Sequence, residues 1–103
     1  MDDALALRIR RREDVLGRVR GILIERLHVD RGPDEIDPET PLFGTGLGLD
    51  SVDAVELLVS LGDAFQLPFA EETLGKMRLR TVGTLVDLVL ARQAEAAAAR
   101  GAP

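Results

Sequence analysis

Asp50-Ser51-Val52-Asp53-Ala54-Val55-Glu56-Leu57-Leu58-Val59-Ser60-Leu61-Gly62-Asp63-Ala64-Phe65 is the most informative run in the chain. Advancing about 100° per residue, Ala54, Leu57, Leu58, Leu61 and Phe65 gather on one side, which predicts a helix over about 51–65 with that side toward a core. Asp50, immediately before it, is a residue type that caps helix starts by accepting from free backbone N–H groups. Val52, Val55 and Val59 fall on a second arc roughly 100–160° away, flanked by Glu56 and Asp63. The helix is therefore apolar on two faces, and the outer one is edged with carboxylates. A chain this small can hardly bury both, so the valine face is expected to meet a partner protein.

Working outward, Gly44-Thr45-Gly46-Leu47-Gly48-Leu49 leads into that helix, and Asp30 to Pro41 reads as a loop broken by Gly32-Pro33 and Asp37-Pro38. Leu42 and Phe43 are expected to pin this long connection to the core. Val15, Leu16, Val19, Ile22 and Leu23 have helical spacing and predict a first helix over about 13–28. Arg12 interrupts the stripe, so residues 1–12 are either an N-terminal extension or an earlier start of the same helix. Beyond Phe65, a turn forms around Pro68, and residues 70–76 are expected to make one or two helical turns. The last helix is expected from about Thr81, with Val82, Leu85, Val86, Val89 and Leu90 as its apolar stripe. Gly83 inside it costs about 1 kcal/mol relative to alanine. Residues 91–103 are expected to be a helix end and a frayed, Ala-rich tail. No strand pattern or repeat occurs. The expectation is an all-α, four-helix bundle: three main helices, one short helix and a long loop between the first two.

Composition narrows the function. The 103 residues make one domain, with 46% hydrophobic and 30% charged residues, a globular balance. There is no cysteine and one histidine, His28, which removes disulfides, thiolate chemistry and any two-histidine metal site. The only aromatics are Phe43, Phe65 and Phe69, and the net charge is −5, both of which argue against nucleic acid as a partner. Residues 1–29 hold seven Arg and five acids, residues 30–72 hold eleven acids against Arg31 alone, and residues 73–103 hold five bases and two acids. Arg8, Arg10, Arg11 and Arg12 read as a solvated helical face, with a docking arm as the other reading. The acidic start Met1-Asp2-Asp3 and the lack of any apolar run near ~18 residues point to a cytoplasmic protein without membrane insertion. Twelve Arg to one Lys, with many Ala, suggests a bacterial source.

Catalytic motifs are missing. The Gly44, Gly46, Gly48 pattern is followed by Leu49, lacks a preceding strand and has no lysine, so it is neither a dinucleotide fingerprint nor a phosphate loop. The acids at 30, 34, 35, 37 and 39 do not have calcium-loop spacing. Ser51 has no nearby base and sits in no nucleophile elbow. The expectation is a non-catalytic protein without a metal site.

Leu42 to Leu57, with Asp50-Ser51-Val52 at a helix start followed by Asp53-Ala54-Val55-Glu56-Leu57, resembles the modification-site region of acyl carrier proteins, whose hallmark is Asp-Ser-Leu. Arg80 to Val89 resembles the family's last helix, and Phe65 with Phe69-Ala70-Glu71-Glu72 fits the stretch between. The resemblance covers about residues 13–90. It implies that Ser51 carries 4′-phosphopantetheine, installed from coenzyme A by a phosphopantetheinyl transferase with magnesium, and that Asp50 supports that modification. It further implies acyl groups held as thioesters for fatty-acid or polyketide-type biosynthesis, with an acyl-loading enzyme and a ketosynthase or other pathway enzymes as partners. Val52, Val55, Glu56, Val59 and Asp63 would be the docking face of a monomer. A discrete peptidyl or aryl carrier, or an unmodified helical interaction module, are the alternatives. The chain departs from many members in having few acids late in the second helix and a basic Met77-Arg78-Leu79-Arg80 segment.

Overall fold

The computed structural model describes residues 3–69 and 80–101. Helix α1 spans Asp3–Glu25, a single 3-10 turn spans Pro33–Glu35, α2 spans Ser51–Phe65 and α3 spans Val82–Gly101. Among the described residues there is no strand, only the isolated bridges Pro41–Thr81 and Phe43–Leu49. The short helix expected at 70–76 lies outside the described residues.

Helix α1 packs on both α2 and α3. Its buried residues, Val15, Val19, Ile22 and Leu23, follow the expected helical stripe. The helix starts ten residues earlier than about 13, because Arg12 does not interrupt it: its guanidinium pairs with Asp87 on α3, tying the two helices together. The helix stops at Glu25, where Leu27 N–H donates to the Ile22 carbonyl, Val29 N–H donates to the Leu23 carbonyl, and His28 takes a left-handed conformation at φ 56°. On α2, Ala54, Leu57, Leu58, Leu61 and Phe65 are all buried, and so is Ser60, which the apolar pattern does not flag. Gln66 ends α2 in a left-handed conformation, with its N–H on the Gly62 carbonyl. Arg18 of α1 stacks 4.0 Å over the Phe65 ring and donates to the Ala64 carbonyl, so a cation closes the negative end of α2.

The long connection is folded into the core rather than draped over it. Ile36 and Leu42 are fully buried and Leu49 is nearly so, while Phe43 is half-buried. Arg20 Nε donates to the Ile36 carbonyl at 2.6 Å, which holds the connection to α1. Three backbone bonds hold it to the start of α3: Leu42 N–H to the Arg80 carbonyl, Val82 N–H to the Thr40 carbonyl, and Gly83 N–H to the Pro38 carbonyl at 2.7 Å. A Cβ at Gly83 would lie 2.9 Å from that Pro38 oxygen, so this glycine permits a close approach that outweighs its cost in helix propensity. Helix α3 buries Val82, Leu85, Val86, Leu88 and Val89. It continues through Gly101, so the helix end expected within 91–103 comes late in that stretch, alanine being the strongest helix former.

Candidate functional site

Ser51 is the first residue of α2, and it is exposed. Two devices place it there. The first is a reciprocal cap: Asp50 Oδ1 accepts from the Asp53 N–H at 2.9 Å, and Asp53 Oδ2 accepts from the Asp50 N–H at 3.0 Å. This is a capping box with aspartate in the place usually held by glutamate or glutamine, and Asp-x-x-Asp was its sequence signal. Asp50 is thus the N-cap expected from its type. The role of Asp53 was missed.

The second device is the loop before the cap. Leu47 N–H donates to the Pro41 carbonyl at 2.9 Å, Leu49 N–H donates to the Leu42 carbonyl at 3.0 Å, and Arg31 Nη2 donates to the Gly46 carbonyl at 2.9 Å. Gly44 and Gly48 have φ of 65° and 71°, the left-handed region that favours glycine. Leu42 and Leu49 anchor both ends of this small closed loop in the core, so the chain leaves it at the surface and Ser51 faces solvent.

The Ser51 hydroxyl makes no hydrogen bond to a described residue, and the N–H groups of Ser51 and Val52 lie at the positive end of α2, ahead of its hydrogen-bond ladder. Next to it, Val52 is 75% exposed and Val59 58% exposed, with Glu56 and Asp63 exposed beside them. Val55 is half-buried, at the margin between this surface and the core. The outer arc is therefore uneven: two of its valines stand in solvent and the third supports them. Asp50, Asp53, Glu56 and Asp63 form no ion pair with a described residue, which leaves this face of α2 negative. No group of three or more candidate metal ligands occurs among the described residues, and no described helix is long and apolar enough to cross a membrane.

A sequence model of the phosphopantetheine attachment site family matches residues 17–89, most of the chain, with α2 near its middle. The chain belongs to that family. Its structure is similar to the crystal structure of an acyl carrier protein from Thermotoga maritima, with a TM-score of 0.65 and 25% identity, covering 82% of this chain and 93% of that one. The protein is a carrier with the acyl-carrier fold, and its prosthetic group is covalently attached 4′-phosphopantetheine. The residues present fit such a group. A free hydroxyl offers a point of attachment, and a helix N-terminus favours the phosphate that would follow it. The group would supply a thiol to this carrier, which has no cysteine of its own.

Proposed function

We propose that the chain is an acyl carrier protein of fatty-acid or polyketide-type biosynthesis, with Ser51 as the anchor of the 4′-phosphopantetheine arm. The observation that carries this reading is the exposed, unbonded Ser51 hydroxyl at the capped start of α2, inside the family-matched region. The chain's own residues hold and present the serine; they do not catalyse. Asp50 fixes the first turn of α2 and sets a carboxylate beside the serine, where it supports the metal-dependent transfer from coenzyme A. Val52, Val59, Glu56 and Asp63 form the face on which the transferase, the loading enzyme and the condensing enzymes dock in turn. A small apolar patch rimmed with screened charge suits partners that must bind and leave.

Incubation with coenzyme A, magnesium and a broad-specificity phosphopantetheinyl transferase is expected to add one phosphopantetheine mass per chain. An unchanged mass, under conditions that load a control carrier, would mean an unmodified interaction module instead.

Docking has its own test. Val52→Asp and Val59→Asp are expected to leave stability within about 0.5 kcal/mol, because both sites are exposed. Each is expected to lower kcat/KM for loading about tenfold, as the loss of a contact near the centre of an interface does. Val55→Asp is expected to do both, losing helical signal on mild heating as well as turnover, because its side chain is half-buried. If Val52→Asp and Val59→Asp load at the wild-type rate, the docking face lies elsewhere.

A further inference from the structure

Both ends of the molecule run past the family-matched residues. The first half of α1, before residue 17, and the end of α3, after residue 89, continue as paired helices. A cleft of about 800 Å³ opens between them, its floor made by Val15, Phe65, Leu67 and Leu90; α1 contributes Arg11 and Arg18 to its wall along with a single acid, Asp14. Leu7 stands one turn before Arg11 on the same helical face, so it extends the apolar lining outward. Leu7 is half exposed there, while Leu5 and Ile9, exposed to the same degree, fall on the opposite side of the helix. Residues 4–12 hold four arginines and no acid. Arg12 is used by Asp87, but Arg8, Arg10 and Arg11 are exposed and make no ion pair with a described residue.

We propose that this cleft and the basic turns beyond it dock an acidic amphipathic helix of a partner protein. The apolar lining takes the helix's buried stripe, and the free arginines meet its flanking carboxylates. Charge opposes arm-to-arm pairing with a second copy, which would bring three more unpaired arginines against these, and the acidic face of a second copy's α2 is the one assigned above to the pathway enzymes. Shape selects it over a lipid surface. A bilayer does not reach into a cleft, and Arg8, Arg10 and Arg11 border Leu7 on both sides. The cleft is at the Phe65 end of α2, about 20 Å along the helix axis from Ser51. A partner held there leaves the serine free to be served by another enzyme.

The test uses the full chain without its prosthetic group, so it is independent of whether Ser51 is modified. Fluorescence anisotropy follows a labelled, stapled helical peptide with leucines on one face and glutamates on the other. Saturable binding is expected, with shifts in the backbone amide resonances of Val15, Leu67 and Leu90. The double variant Arg8→Glu/Arg11→Glu is expected to weaken it at least about tenfold, whereas Arg26→Glu/Arg80→Glu, which makes the same change in net charge at the end of α1 and the start of α3, away from the cleft, is expected to leave it within about twofold. Failure to saturate, equal binding of a peptide with lysines in place of the glutamates, or equal loss in the two double variants would overturn the proposal. So would the arm driving association with phosphatidylglycerol–phosphatidylcholine vesicles, or self-association by sedimentation, in place of peptide binding.

Discussion

Ser51→Ala is expected to abolish phosphopantetheine loading completely while the protein stays folded. The side chain is exposed and unbonded, so trimming its hydroxyl removes no contact, and stability should remain within about 0.5 kcal/mol of the wild type. Thermal melts by circular dichroism and intact mass after transferase treatment measure the two halves of this expectation. Ser60→Ala is the matched control. Ser60 lies on the same helix but is only 3% exposed, in the core beside Leu57 and Leu61, so no transferase can reach it. Ser60→Ala should load fully, provided it folds. A Ser51→Ala chain that still gains the mass would move the anchor to another hydroxyl and remove the proposed role of this one.

Gly46→Ala is expected to have the largest effect on stability of any single methyl addition in the loop. A Cβ at Gly46 would sit 2.0 Å from the Pro41 carbonyl oxygen and 2.6 Å from the Pro41 carbonyl carbon, and backbone cannot swing aside as a side chain can. The loop must open, breaking the Leu47 to Pro41 bond and loosening Leu42 and Leu49 in the core. The expected cost is about 2 kcal/mol or more, a fall in Tm of roughly 10 °C for a domain of this size. Loading should slow as well, because the same loop presents Ser51. Gly17→Ala and Gly21→Ala provide the opposite sign: nothing lies within 4 Å of either Cβ position, and both glycines are inside α1. Each should raise stability by about 0.5–1 kcal/mol. Equal destabilisation by all three would show that the approach of Pro41 is not what requires glycine at 46.

The contrast among these glycines explains what the sequence discloses and what it withholds. Helix α2 is legible to the residue at both ends, because its cap, its periodicity and its core face all depend on neighbours within a few positions. The stripe of α1 is equally legible, but its start is not. Whether a charged Arg12 can interrupt the apolar stripe and still face α3 depends on Asp87, 75 residues away. The irregular connection hides most. Leu42 could be read as a pin because it stands in an apolar pair, whereas Ile36 is alone between acids and Leu49 ends a stretch in which every second residue is glycine, so neither belongs to a periodic pattern that would announce its burial. Gly83 looked like a weakness in α3 and is a point of contact with Pro38, a meaning supplied only by tertiary structure. At the candidate site, the serine and its cap were legible. The unequal exposure of the three valines was not, since a helical wheel gives direction but not the height of the surrounding surface.

The bonds from Leu42, Val82 and Gly83 cross between the connection and the first turn of α3, so each segment secures the other's backbone. Neither can come loose alone. In deuterated buffer these three amides, split between distant parts of the chain, should show one shared opening free energy once each is corrected for its intrinsic exchange rate. With Ser51 as the proposed anchor, the arm would swing from a platform as steady as the bundle itself, and its reach would come from its own length.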